Sequence, residues 1–155
     1  MIVSNEDYSL SDEFIERCRQ DHKLAETELH KELIELLKIA GSIRLVGTNA
    51  ALLKSKISDA RKMLALHRES FADGFLINNV GLELFKYAPE IYEKDADLFF
   101  ESYKEKHSDA ISKNKEIINV VEAISEVYKT MTNDELSVVF KVLTHIVDIV
   151  AATTM

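Results

Sequence analysis

Residue types that punctuate or staple a fold are scarce in this chain: of 155 residues, four are glycine, one is proline and one is cysteine. Average usage would supply about eleven glycines and eight prolines, so low-complexity linkers and disordered tracts are excluded over most of the length. A lone cysteine, Cys18, can form neither an intramolecular disulfide nor a paired-cysteine zinc motif. Also missing are a glycine-rich phosphate loop, a serine nucleophile elbow and the repeated Glu-x-x-His of di-iron bundles. No stretch reads as the continuous apolar run of a signal peptide or membrane span, so a cytoplasmic protein without a membrane partner is expected. At this length one domain, 1–155, can bury roughly 68 to 70% of its unfolded surface and needs no staple.

What is present is charge, unevenly placed. The net charge is −8. Residues 1–40 carry ten acidic and five basic side chains, 41–72 carry two and six, 73–110 nine and four, and 111–155 six and four. An acidic first segment beside a basic second one is what orients an antiparallel helix pair. The acidic total makes free DNA or RNA an unfavourable partner for the surface as a whole.

A ladder runs through both segments. From Ile15 to Phe71, seventeen positions follow at alternating steps of three and four, and fourteen of them are apolar, His22, Glu32 and His67 being the exceptions. A mean step of 3.5 residues keeps one helical face turned toward a partner helix. The expected fold is therefore all-α: an antiparallel helical bundle with long, coiled-coil-like N-terminal helices over about 10–72 and shorter C-terminal helices over about 75–151. Gly41 and Ser42 offer a stop and a restart, which predicts helices over about 11–40 and 43–72 rather than one continuous rod.

Local signals mark the other boundaries. Ser9 or Ser11 opens the first helix, with Asp12 and Glu13 at the positive end of its dipole. A helix carrying Phe75, Leu76, Val80, Leu84 and Phe85 is predicted to end near Tyr87, because Pro89 suits the first turn of a following helix that carries Leu98, Phe99, Phe100 and Tyr103. Gly74 and Gly81 fit turn geometry or close helix packing. Another helix is predicted from Asp109 to Tyr128. Thr132 and Glu135 have capping-box spacing, and Met131 and Leu136 that of a hydrophobic staple, so a closing amphipathic helix begins there.

Several residue sets carry candidate chemistry. Cys18, His22, Glu26 and His30 are four apart and share a drifting stripe on a helix. His67, on the other arm of a hairpin, would join Cys18 and His22 in a metal-sensing or small-ligand-sensing bundle. His107 and His145 are the histidines that a haem site would use, but the chain closes ten residues after His145, too soon to complete a haem pocket. Arg61 and His67 match the Arg-x(4–6)-His spacing of HEPN-type ribonucleases, as do Arg17 and His22. The resemblance implies a small helical ribonuclease with Arg61 and His67 as its catalytic pair, although Lys62 stands where that family usually has a polar residue after the arginine.

Ile39 to Leu52, reading IAGSIRLVGTNAAL, resembles the signalling helix of bacterial chemoreceptors, where an Ile-Arg-Leu triplet precedes an Asn-Ala-Ala core in a long antiparallel coiled coil. The likeness covers about fourteen residues. The family's hairpin tip is replaced after Ala51 by Leu52, Leu53, Lys54 and Ser55, so the resemblance implies a style of helix packing and not that family's partners.

The expected function is that of a non-enzymatic interaction protein: an adaptor, regulator or inhibitor with a protein partner, itself a homodimer, using no cofactor. Its seam would be Val46, Ala50, Leu53, Ile57 and Leu64, with Lys54, Lys56, Arg61 and Lys62 setting pairing and register. The ribonuclease and the metal-sensing or ligand-sensing bundle are the alternatives.

Overall fold

The computed structural model describes residues 2–44, 50–66, 74–106 and 127–154. The described chain is all-α, and its one β feature is an isolated antiparallel bridge between Ile2 and Asp95. Helix α1 spans Asp12–Gln20, α2 His22–Ser42 and α3 Ala50–Leu66. A π-helical segment, Ile77–Gly81, runs into α4, Leu82–Phe85, and is followed by α5, Ala88–Glu93, α6, Ala96–Lys106, and α7, Asn133–Thr154. Of the helix predicted over Asp109 to Tyr128, residues 109–126 lie outside the described residues.

Short polar side chains decide where these helices start. Ser11 is the N-cap of α1, its hydroxyl accepting from the Phe14 N–H at 3.2 Å. Asp21 then leaves helical geometry (φ −131, ψ 93), and its carboxylate accepts from the N–H groups of Lys23 and Leu24, both at 3.1 Å. The helix predicted over 11–40 is therefore two helices. An apolar period carries no record of a cap, and the carboxylate that satisfies orphan amides outweighs continuity of the ladder.

Lys94 has the same effect further on. It sits in the left-handed region (φ 57) at the end of α5, and Asp95 Oδ1 accepts from the Leu98 N–H at 3.2 Å to open α6. The helix predicted from Pro89 through Tyr103 is thus divided in two, with Pro89 in the first turn of α5 as its fixed φ favours. Ahead of α7 the capping box is reciprocal: Glu135 Oε1 accepts from the Thr132 N–H at 2.8 Å, and Thr132 Oγ1 from the Glu135 N–H at 3.1 Å.

After Ser42 the chain turns, with Ile43 extended at φ −77, ψ 140. Ile43 and Arg44 are not helical, so the second arm does not restart at 43. Helix α3 returns along α2, bringing the Leu64 carbonyl oxygen to 2.9 Å from Nε2 of the buried His30. The ladder is accordingly folded back on itself. Cys18, Ala25, Leu29 and Leu64, toward its ends, are buried, whereas Leu36, Ile39, Ile43, Ala50, Leu53 and Ile57, near the turn, are only half-buried.

The expected contrast of long N-terminal and short C-terminal helices does not hold: α7, with 22 residues, is the longest described helix, and α2 has 21. Two apolar faces explain its length. Val142, Ile146, Ile149 and Val150 enter one core with Cys18, Ala25, Leu29 and Leu76. Leu136, Phe140, Leu143 and Val147 enter a second with Val3, Tyr87, Ile91 and Phe99. A helix apolar on more than one side sits inside a bundle or a membrane. By length and composition α7 does reach what a bilayer crossing needs, contrary to the sequence reading, but most of that stretch is buried within the protein.

Gly81 permits the closest of these contacts. A Cβ there would lie 2.6 Å from Val150 Cγ2 and 3.3 Å from Leu29 Cδ2, so the π-helical turn meets α7 and α2 backbone-close. Gly74, at φ 77, supplies the left-handed turn that precedes it.

Candidate functional site

Between α2 and α3, toward the Ser42 end of α2 and the Ala50 end of α3, lies an open groove of about 840 Å³. Its described walls are Ile34, Lys38, Gly41, Ile43 and Arg44 from the first arm, and Ala50, Ala51, Lys54, Ile57, Ser58, Arg61, Lys62 and Ala65 from α3. The spacing follows from the helices. Positions 34, 38 and 41 on α2 step by four and three, and positions 50, 54, 57, 61 and 65 on α3 by four, three, four and four, so the helical part of each wall is one face, which the non-helical Ile43 and Arg44 extend on the first arm.

The electrostatics of the groove are one-sided. Lys38, Arg44, Lys54, Arg61 and Lys62 line it, and no acidic side chain is among its described walls. None of these five forms an ion pair among the described residues. Ile34, Ile43 and Ile57 give it an apolar floor, and Gly41, Ala50, Ala51, Ser58 and Ala65 keep the walls low. Arg61 leans across the hairpin, its Nη1 lying 3.5 Å from where a Cβ on Gly41 would be. Among the described elements, the one extensive contact of α3 is with α2.

Of the interface residues expected from sequence, Ala50, Lys54, Ile57, Arg61 and Lys62 line this groove. Leu53 is half-buried and Lys56 exposed on the same helix. Leu64 is 4% exposed and belongs to the core, because its place on α3 falls beside His30 where the hairpin meets the bundle. Val46 and His67 lie outside the described residues.

Lys38, Arg44, Ile34 and Gly41 were missed. Lys38 belongs to a segment whose charge sum is acidic, and only the parallel four-three step beside the ladder marked it as a neighbour of the basic arm.

The proposed metal stripe is dispersed into structural roles. Cys18 is fully buried, and burial pushes its thiol up, which removes it as a reactive thiolate. His22 is exposed on the far side of the Asp21 break. Glu26 reaches the start of the helical segment after Gly74, its Oε1 and Oε2 accepting from the N–H groups of Leu76 (2.5 Å) and Ile77 (3.2 Å). Among the described residues no group of three His, Cys, Asp or Glu side chains is placed to hold a metal ion. Arg17 is exposed on α1, and no histidine is among the described walls around Arg61.

Two other polar pairs join α7 to its neighbours. His145 Nδ1 on α7 is 3.3 Å from Glu32 Oε1 on α2. Asp148, 7% exposed, takes the Tyr92 hydroxyl on Oδ1 at 2.7 Å and the Leu10 N–H on Oδ2 at 3.0 Å. Both of its oxygens are used internally, so the carboxylate ties the N-terminal arm and α5 to α7 and is not presented to a substrate.

No protein-family model matches this chain, and no curated protein or solved structure is significantly similar to it.

Proposed function

We propose that this chain is a non-enzymatic interaction protein, a cytoplasmic adaptor, regulator or inhibitor, and that it takes a protein partner in the groove between α2 and α3. The observation that carries this reading is the coincidence of five cations without described ion-pair partners and an apolar floor on one half-buried face. Scattered surface charges mean little, whereas charges of one sign around an apolar strip favour association and set its orientation. The polar groups of the interior support the same reading, because Glu26, His30 and Asp148 are each engaged in holding elements together.

Lys54→Glu combined with Arg61→Glu tests the reading, since both residues are exposed. Immobilised wild-type protein and the double variant are compared for proteins retained from the native host. The expected result is one or a few proteins held by the wild type and lost by the variant. An identical set on both would reject the groove as the interaction surface. A homodimer through the same face is the competing arrangement. It predicts a doubled mass in light scattering that falls to the monomer value in the variant.

A further inference from the structure

We infer that the groove receives a third helix, and that this occupant is an acidic amphipathic α-helix contributed by a partner protein. The inference rests on the reading of this face as an interaction surface and adds the identity of what fills it. Geometry argues for a helix. The helical lining residues, 34, 38 and 41 on α2 and 50, 54, 57, 61 and 65 on α3, fall on one face of each helix, so the groove between them has the shape that a third helix packs into. The low residues, Gly41, Ala50, Ser58 and Ala65, are spread along the groove and let a helical backbone come close. From Ala50 to Ala65 the wall runs about 22 Å at 1.5 Å per residue, which suits an occupant of about four turns.

Charge argues for acid. The floor is isoleucine and the rims are lysine and arginine, so a complementary helix carries aliphatic residues on one stripe and glutamate or aspartate on both flanks. A second copy is the competing occupant, since the described helices also expose large apolar side chains such as Leu82, Leu98 and Val138. A nucleic acid would match the charge but not the isoleucine floor or the low walls.

The test is a selection. A library of random 18-residue sequences biased toward helix, with aliphatic, acidic, basic and neutral residues equally available at variable positions, is displayed and selected on the full-length protein. Clones are then counter-screened on Lys54→Glu/Arg61→Glu, and on Ser58→Trp, which fills the groove without altering charge. Circular dichroism melts check that both variants fold. The expected outcome is an enriched set with net negative charge and apolar residues at three-four spacing. Such peptides should bind the charge-reversal variant at least about tenfold more weakly and lose affinity as salt rises.

Enriched peptides that depend on the groove but are basic, neutral or without helical period would overturn this inference while leaving the interaction surface standing. Failure to recover any groove-dependent binder would overturn both. Two further results would also sink the acidic-helix assignment: a groove-dependent dimer in light scattering, and groove-dependent binding of a single-stranded RNA oligonucleotide in fluorescence anisotropy.

Discussion

The Tyr92 hydroxyl donates to Oδ1 of Asp148 across 2.7 Å, joining residues 56 positions apart at the point where the N-terminal arm crosses the bundle. Asp148 is buried, and its other oxygen accepts from the Leu10 N–H. Burial pushes the Tyr92 phenol above the ordinary tyrosine range, and its hydrogen bond to Asp148 and the charge of that residue push in the same direction. The unfolded chain therefore loses this proton first as pH rises. Stability held by the neutral phenol is complete below about pH 10 and declines above it. Tyr87 and Tyr103 are shifted the same way by burial.

Tyr92→Phe should therefore lower stability at neutral pH by about 1 kcal/mol and flatten the alkaline decline. Urea unfolding at a series of pH values measures both. An alkaline slope as steep in the variant as in the parent would show that Tyr92 does not carry that linkage.

Glu26 predicts a different signature. Its carboxylate serves the two amides that open the helical segment after Gly74, so Glu26→Ala should cost about 1–2 kcal/mol. Glu26→Gln should cost less, since one amide oxygen still accepts. Because the lost bonds tie α2 to that segment, the amide protons of Leu76 and Ile77 should also exchange faster in the alanine variant. Unchanged exchange at both would remove Glu26 from this role.

At Gly81 the expected effect reverses the usual helix preference. Alanine in place of glycine inside a helix ordinarily helps by up to about 1 kcal/mol. Here a Cβ would press on Val150 Cγ2 at 2.6 Å, and overpacking of this kind typically costs about 1–3 kcal/mol. Gly81→Ala should destabilise, and adding Val150→Ala should recover part of the loss. A double-mutant cycle with no coupling between the two positions would refute the contact.

The boundaries that could be read from sequence are those made by neighbours in the chain. Thr132 with Glu135, Ser11 with Phe14 and Pro89 in its first turn each use residues within four positions, so composition and spacing carry them. The breaks at Asp21 and Lys94 escaped because the apolar period continues through both, while a backbone turn depends on one residue's cap or dihedral. The basic half of the groove was visible as an excess of lysine and arginine over 41–72. Its acid-free wall was not, since Lys38 joins it only once the hairpin closes. Nor could the burial of Leu64 be read, because Leu53 and Leu64 occupy equivalent rungs and differ only in which end of the hairpin meets α7.

The double-faced character of α7 bears on how the chain acquires its structure. Leu10 must find Asp148, 138 residues later, and neither apolar core is filled before Val142 to Val150 arrive. During synthesis the greasy sides of α2 and α5 emerge before α7 does, so both cores are completed only when α7 is made, a long-range closure of the kind that slows folding.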